Sequence, residues 1–265
     1  MSELWIAAIL GIVEGLTEYI PVSSTGHLIV AGALLGWTGE KAKSFEIFIQ
    51  LGAILAIVWL YRDRLSHVLR SATRDPASRR LVTNLAIAFL PAAVVGLLTH
   101  RLIKQYLFSP VVVAVSMLVG GVVILAIERW RPAPRTSTVD AVSPGTALGI
   151  GLAQVLSLVP GTSRSGATIM GAYCLGLTRQ AATEFSFFLA IPVMVAATGF
   201  DLAQSAKSLS TADVSIFAVG FLVAFASAIV VVRAFVAYVA RSSFVAFAWY
   251  RIAFGLLFLA WHARH

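Results

Sequence analysis

The chain has 265 residues, of which 59% are hydrophobic and only 12% charged, and its mean hydropathy is +0.89. A soluble domain carries about 25% charged residues, so this chain has too little polar surface for a water-soluble fold. Its formal net charge of +8 does not indicate nucleic-acid binding, because membrane proteins also collect Lys and Arg in their cytoplasmic loops. The single cysteine, Cys174, excludes an intramolecular disulfide and a cysteine metal cluster.

Six long apolar stretches indicate membrane crossings. Several approach the roughly 20 residues that span a hydrocarbon core. They are apolar on every side and lack the charged opposite face of a soluble amphipathic helix. We therefore predict an all-α integral membrane protein that contacts lipid and not nucleic acid. The stretches cover residues 47–61, 81–98, 111–127, 185–200, 216–232 and 244–261.

The first polar interruption lies near the start of the chain, where residues 14–27 read EGLTEYIPVSSTGH. Short apolar segments over 4–20 and 28–37 flank a turn that contains Pro21 and Gly26. An irregular backbone is tolerated at membrane depth only where it is buried in protein or lines a wet cavity. We therefore predict a re-entrant helical hairpin here.

Two glutamates precede this turn on one helix face, because Glu14 and Glu18 are four residues apart. Each ionised carboxylate at membrane depth costs around 2.5 kcal/mol or more, so a compensating partner is expected. Mg²⁺ typically combines one or two carboxylates with substrate phosphates. We predict a divalent metal, Mg²⁺ or Ca²⁺, on Glu14 and Glu18. The alternative is a pair that is partly protonated or hydrogen-bonded to nearby hydroxyls.

Hydroxyl side chains follow the glutamates at the start of the next helix. Ser23, Ser24 and Thr25, with the free N–H groups of that helix, suit an anionic ligand. His27 is a candidate general acid or base, or itself a nucleophile. Ser24 is the other candidate nucleophile, with His27 as its activator. A simple serine-rich helix cap would not account for two glutamates and a histidine beside it.

A second interruption lies at residues 160–168, which read PGTSRSGAT and again divide two short apolar segments. It predicts a second re-entrant hairpin. Arg164 supplies a guanidinium, which binds phosphate oxygens through two parallel hydrogen bonds. The alternative for Arg164 is a structural ion pair with Glu14 or Glu18, which does not exclude a substrate clamp. The predicted phosphate ligands of the two turns are Ser23, Thr25, Ser163, Arg164, Ser165 and Thr168.

The two interruptions belong to two halves with the same order of features. Each turn is followed by a Phe-rich segment, then by AIAF or AVGF, then by a helix with a central glycine, and partner features lie between 132 and 140 residues apart. Four matches in one order predict an internal duplication. We predict about ten helical segments in two inverted repeats, residues 1–131 and 145–265, joined by a linker over 132–144. Each repeat holds one re-entrant hairpin and three transmembrane helices, and a matched pair of broken segments points to a site at the repeat interface.

Basic residues predict the orientation in the membrane. Six arginines and two aspartates lie between residues 61 and 81, so this loop is expected in the cytoplasm. Successive crossings then place Arg101, Lys104 and Lys207 outside. This parity requires both hairpins to be re-entrant. The cations expected inside are Arg129, Arg131, Arg135, Arg233 and Arg241.

The two turn motifs resemble those of a known family, the bacterial undecaprenyl-diphosphate phosphatases of the bacitracin-resistance (BacA) type. FEIFIQLGA and EFSFFLAIP extend the likeness, which covers nearly the whole chain. It implies removal of the terminal phosphate from undecaprenyl diphosphate, so that the lipid carrier is recycled for cell-wall synthesis. It also implies a divalent metal and a site open to the outer side of the plasma membrane. The roles it implies are Glu14 and Glu18 for metal and acid–base work, Ser24 or His27 as nucleophile or its activator, and Arg164 with Ser163 and Thr168 for phosphate.

A transporter is the main rival, because inverted repeats with broken hairpins build many secondary transporters. A lipid-phosphate flippase would need a similar anion site, with the two glutamates as proton or ion carriers. A purely structural scaffold does not explain Glu14, Glu18 and Arg164 within the membrane. Metal-dependent release of phosphate separates the hydrolase from a pure transporter.

Three further polar residues lie within or near the predicted helices, and the sequence assigns none of them a role. They are Gln50, Glu184 and Asp201. Glu184 is a candidate ion-pair partner of Arg179. The sequence does not fix the oligomeric state, and a homodimer is compatible with it.

Overall fold

The computed structural model describes residues 2–130, 133–205 and 213–264. Within these ranges the chain forms eleven α-helices with short 3₁₀ and π segments, and the one β contact is an isolated bridge. The predicted all-α fold is therefore confirmed. Two cations used to predict the orientation, Arg131 and Lys207, lie outside the described residues.

Six helices are long and apolar enough to cross a membrane. Each corresponds to one of the apolar stretches in the sequence, and three precede the linker while three follow it, as predicted. They have between 18 and 27 residues, close to the roughly 20 that a hydrocarbon core requires. These helices are α3 (Glu40–Leu60), α5 (Pro76–Leu102), α6 (Pro110–Trp130), α9 (Arg179–Ser205), α10 (Val214–Val239) and α11 (Val245–His262).

Four shorter helices form the two hairpins, in which α1 packs against α2 and α7 packs against α8. The longest has 15 residues and the shortest 11, which gives lengths of about 22 Å and about 16 Å at 1.5 Å per residue. A hydrocarbon core is about 30 Å thick, so no limb spans it alone. The four helices are α1 (Glu3–Thr17), α2 (Ser24–Leu35), α7 (Pro144–Val155) and α8 (Arg164–Cys174).

The arginine-rich segment expected as a loop contains a further helix, α4, over Arg62–Ser71. After α4 the chain turns, and Asp75 caps the start of α5. Its carboxylate accepts hydrogen bonds from the Ser78 hydroxyl at 2.7 Å and the Ser78 N–H at 2.9 Å. These bonds lower the pKa of Asp75 below its usual range, because they stabilise the ionised carboxylate.

Each hairpin packs along a long helix of the opposite half. Helix α1 lies against α10, and α7 lies against α5. A Cβ atom at Gly15 would lie 2.6 Å from the carbonyl oxygen of Ala224, and one at Gly151 would lie 2.5 Å from that of Ala88. Only glycine permits such close backbone approach. Because α5 and α10 carry the matched AIAF and AVGF segments, this reciprocal packing supports an internal duplication. The boundaries of the two repeats stay a prediction.

Candidate functional site

The two polar interruptions form matching turns at the starts of α2 and α8. Ser23 and Ser163 occupy the N-cap positions, and both have positive φ, 73° and 75°. Each Oγ accepts a hydrogen bond from an N–H three residues later, Gly26 at 3.4 Å and Gly166 at 3.0 Å. Both serines are therefore helix caps. Positive φ costs a non-glycine residue on the order of 1–3 kcal/mol and is found most often at functional positions.

Glu18 joins the two turns. Its Oε2 accepts a hydrogen bond from Ser24 Oγ at 2.5 Å, and its Oε1 accepts one from Arg164 Nη2 at 2.9 Å. Both bonds involve an ionised group, which makes them stronger than neutral hydrogen bonds. Glu18 and Ser24 are buried, and the Arg164 side chain is only 12% exposed. The ion pair considered for Arg164 is therefore present, with Glu18 as the partner.

The Arg164 fork has a second anchor on α9. Its Nη1 donates to the carbonyl oxygen of Ser186 at 3.0 Å, and the hydroxyls of Ser186 and Thr168 lie 2.6 Å apart. Ser165 Oγ donates to the carbonyl oxygen of Ile20 at 2.9 Å. Two of the predicted phosphate ligands thus have partners inside the protein: Ser165 links the second turn to the first, and Thr168 links α8 to α9. A third, Thr25, is half-buried beside Ser24.

His27 faces a different set of groups. Its Nδ1 lies 2.7 Å from the carbonyl oxygen of Ser23 and its Nε2 lies 2.6 Å from the Tyr250 hydroxyl. The ring stacks on Phe254 with 4.2 Å between centroids. A carbonyl oxygen only accepts, so Nδ1 is the donor, and Nε2 of the neutral ring accepts from Tyr250. Both ring nitrogens are therefore engaged with groups other than Ser24.

Glu14 lies one helical turn before Glu18 and is fully buried. Neither of its carboxylate oxygens has a hydrogen-bond partner in the described structure, and a buried polar atom in that state requires an explanation. Free carboxylate oxygens are the donors that Mg²⁺ and Ca²⁺ bind. Among the described residues, no three His, Cys, Asp or Glu side chains form a group that could hold a metal. A cation at Glu14 would therefore need substrate phosphates or water as further ligands, which is typical of Mg²⁺.

A buried cation that was not predicted from the sequence, Arg251 on α11, is only 1% exposed. Its Nη1 donates to carbonyl oxygens of both turns, Pro21 at 3.1 Å and Thr162 at 2.9 Å. An arginine inside an apolar stretch is itself a functional signal, and it could have identified this residue. Tyr250 and Ser186 were also missed, and they gave no comparable signal because single hydroxyls are common in helices.

The suggested pairing of Glu184 with Arg179 is wrong. Arg179 binds both carboxylate oxygens of Glu128, at 3.1 and 2.6 Å, whereas Glu184 lies 3.8 Å from an arginine of α4. Asp201 lies 3.6 Å from Nε2 of His100, which joins α9 to α5. None of these contacts involves the two turns, so we assign them to helix packing.

Comparison with known proteins assigns the chain to a family. The model described as "Bacitracin resistance protein BacA" matches residues 7–257, which include both turns. The chain belongs to the BacA family. The family resemblance of the two turn motifs is thereby confirmed. As expected for this family, the chain is a multi-pass membrane protein, and six helices among its described residues are long and apolar enough to cross a membrane.

Curated relatives of this BacA protein match almost end to end. The undecaprenyl-diphosphatase of Aromatoleum aromaticum is 52% identical over 255 residues, which cover 96% of this chain and 93% of the relative. Undecaprenyl-diphosphatase 2 of Rhodospirillum rubrum is 56% identical over 256 residues, with the same coverage of 96% and 93%. The undecaprenyl-diphosphatase of Ectopseudomonas mendocina is 50% identical over 266 residues, which cover 99% of this chain and 96% of the relative.

Proposed function

We propose that this protein hydrolyses undecaprenyl diphosphate to the monophosphate and inorganic phosphate, which returns the lipid carrier to cell-wall synthesis. Relatives that are 50% to 56% identical bear the name undecaprenyl-diphosphatase, which supports this substrate. The observation that carries the proposal is the cluster of Ser24, Glu18 and Arg164 where the two turns meet. It brings a hydroxyl, a carboxylate and a guanidinium within hydrogen-bonding distance, as nucleophile, base and anion stabiliser require.

In the first step, Ser24 is the nucleophile and Glu18 is its base. Ser24 Oγ attacks the terminal phosphorus, and its proton passes to Glu18 Oε2, with which it already shares a hydrogen bond. The bond between that phosphorus and the bridging oxygen breaks, and the isoprenyl monophosphate leaves with the electron pair. Arg164 stabilises the charge on the transferring phosphoryl oxygens, which is the main requirement in phosphoryl transfer.

In the second step, water hydrolyses the phosphoserine. The water oxygen forms a bond to phosphorus as the bond to Ser24 Oγ breaks. Glu18 returns the proton that it took in the first step, so the serine hydroxyl is restored and the carboxylate is ionised again. Phosphate leaves with both protons of the water. The step needs no group beyond those already in the cluster, because Glu18 acts as the acid that protonates the departing serine oxygen.

Glu14 is the proposed anchor of a divalent metal, Mg²⁺ or Ca²⁺. Its two carboxylate oxygens are buried without other partners, while both oxygens of Glu18 are already occupied. When bound, the ion would neutralise charge on the diphosphate oxygens. Glu14 would hold it, and substrate phosphates or water would complete its ligands.

We place the protein in the bacterial plasma membrane with its site open to the outer side. The arginine-rich α4 supports this orientation, because basic loops remain in the cytoplasm. The isoprenoid tail would lie among the long apolar helices, and the diphosphate would enter where the two turns meet. A homodimer is compatible with this arrangement, and light scattering of the purified protein in detergent tests it.

Phosphate release from a soluble isoprenyl diphosphate in detergent tests the proposed activity. The purified protein should release phosphate, and EDTA should stop the reaction until Mg²⁺ or Ca²⁺ is added. Arg164→Ala should lower kcat by about 10³-fold or more, although it still elutes as a single folded species. Arg64→Ala is the matched control, because Arg64 lies on α4 and pairs with Asp140, and its kcat should stay within about threefold of the wild type.

The outcome that contradicts the proposal is equally clear. A well-folded wild-type protein that releases no phosphate with either metal would favour a transporter. Near-normal turnover of Arg164→Ala would show that the guanidinium does not stabilise the phosphoryl group, and the assigned mechanism would be wrong even if the activity were present.

A further inference from the structure

Arg251 has an unusual set of partners. A guanidinium carries five N–H donors, and in the described structure each of them donates to a backbone carbonyl oxygen. The acceptors belong to three separate pieces of the protein: the first turn, the second turn and α6. Arg251 donates from Nε to Met117 at 3.2 Å, from Nη1 to Pro21 at 3.1 Å and Thr162 at 2.9 Å, and from Nη2 to Ser116 at 3.1 Å and Gly161 at 3.0 Å.

None of these five acceptors is a carboxylate. A charge that is buried without its counter-ion is costly unless hydrogen bonds satisfy it fully. The pair between Arg179 and Glu128 shows how this same chain satisfies an arginine by an ion pair at the end of α6. The five carbonyl oxygens satisfy every N–H donor of Arg251. Because all five bonds lead to one planar guanidinium, they also fix the positions of three backbone segments relative to each other.

The acceptors in the turns lie one or two residues before the positive-φ serines. Pro21 precedes Ser23 by two residues, and Thr162 immediately precedes Ser163. The guanidinium therefore holds the backbone at the point where each turn enters its helix. The planar fork of arginine sets both distance and angle, which a lysine ammonium does not do.

The structure also provides a space for this group on α6. A Cβ atom at Gly120 would lie only 2.1 Å from Arg251 Nη2, so any larger residue at this position would displace the guanidinium. Gly120 and Gly255 both lie at the interface of α6 and α11, but a Cβ at Gly255 would meet Leu118 and the carbonyl oxygen of Ala114, at 2.9 and 3.0 Å. Of these two positions, only Gly120 would bring an added Cβ into contact with Arg251.

We propose that Arg251 is a positioning residue for phosphate hydrolysis, which sets the separation of the two turns so that Ser24 and Glu18 meet Arg164. The inference rests on the proposed role of that cluster. Because Arg251 acts through the backbone of both turns, its loss should reduce turnover more than substrate binding. A misplacement of about 1 Å at a reacting centre can cost about 10²-fold in rate.

Arg251→Lys and Gly120→Ala test this proposal in two ways. The first keeps the charge but loses the fork, and the second keeps the arginine but displaces it. For both we expect kcat for a soluble isoprenyl diphosphate to fall by about 10²-fold, with KM changed by less than about threefold. Gly255→Ala is the matched control at the same helix interface, and its kcat should stay within about threefold of the wild type.

A distance measurement that does not depend on turnover accompanies the kinetics. Spin labels at Leu34→Cys on α2 and Leu175→Cys at the end of α8 occupy exposed positions, in a Cys174→Ser background. The distance distribution between them should shift or broaden in Arg251→Lys and Gly120→Ala, and it should be unchanged in Gly255→Ala. A shift in the distance would support the positioning role even if the wild-type protein released no phosphate. The absence of phosphate release would count against the proposed function.

Three outcomes would overturn the inference. The first is a kcat for Arg251→Lys and Gly120→Ala within about threefold of the wild type. The second is an equal loss in Gly255→Ala, which would indicate general disruption of the α6–α11 interface. The third is failure of both test variants to fold while Gly255→Ala folds, which would assign Arg251 to folding alone.

Discussion

At the scale of single residues, Glu18 divides its two oxygens between a hydroxyl and a guanidinium. In the proposed mechanism this division couples two events. When the Ser24 proton arrives on Oε2, the carboxyl loses its charge, and its attraction for Arg164 weakens. The guanidinium is then free to turn towards the phosphoryl oxygens at the moment when they need a counter-charge. The ion pair thus holds Arg164 ready without competing with the transition state.

The choice of nucleophile gives a residue-scale prediction. Ser24→Ala should abolish the phosphoenzyme, because the hydroxyl that donates to Glu18 is removed. His27→Gln should still form one, since the His27 nitrogens face Ser23 and Tyr250. Rapid quenching with labelled substrate measures the trapped phosphate. Phosphoserine survives acid whereas phosphohistidine does not, so an acid-labile phosphoenzyme that persists in Ser24→Ala would make His27 the nucleophile.

At the scale of helices, the close packing of α1 on α10 fixes where the two glutamates lie. Gly15 sits between them in sequence, and its Cβ would lie 2.6 Å from the Ala224 carbonyl oxygen. Gly15→Ala should therefore displace α1, destabilise the protein by about 1–3 kcal/mol and reduce turnover. Gly199→Ala is the control, because a Cβ at Gly199 on α9 would meet no described atom within 4 Å apart from its chain neighbours and its own helix backbone.

The unfolding temperature in detergent and the rate of phosphate release are measured for both variants and for the wild type. Gly199→Ala should unfold at the same temperature as the wild type or slightly above it, because alanine favours a helix over glycine by about 1 kcal/mol at most. An unchanged unfolding temperature and turnover in Gly15→Ala would mean that α1 is free to move away from α10, contrary to the packing described.

The elements were predictable wherever their signals are local. Apolar length identified the six long helices, and proline, glycine and serine located both turns. Helix α4 was missed because its arginine-rich sequence gives no hydropathy signal. The bonds between Arg251 and the two turns could not be predicted, for a different reason. Arg251 bonds to residues between 89 and 230 positions away in the chain, and no rule of spacing relates positions so distant.

At the scale of the whole molecule, each half supplies one part of the proposed site. The first turn brings the carboxylates and the nucleophile, and the second brings the cation. Neither half is sufficient, since the glutamates would lack a counter-charge and Arg164 would lack a partner at membrane depth. Each hairpin packs on a long helix of the opposite half, and the same packing brings the two turns together to form the site.

Accessible cysteines test the orientation that the whole molecule is predicted to adopt. In a Cys174→Ser background, Gln105→Cys lies between α5 and α6, and Arg74→Cys lies between α4 and α5; both positions are exposed. A membrane-impermeant maleimide should label Gln105→Cys in intact cells and Arg74→Cys only after permeabilisation. The reverse pattern would mean that the arginine-rich segment faces outwards, against the rule for basic loops.

The exchanged packing of the hairpins also sets an order of biogenesis. Helix α5 is already in the membrane when the ribosome makes α7, so the second hairpin finds its partner at once. The first hairpin must wait for α10, which follows α1 by roughly 200 residues, or about 10–40 s at 5–20 residues per second. During that interval the translocon or the neighbouring lipids must accommodate the first hairpin, including Glu14 and Glu18, without the helix that later covers it. Seating of the first hairpin is therefore a late event of synthesis, and a chain released before α10 lacks the helix against which that hairpin packs.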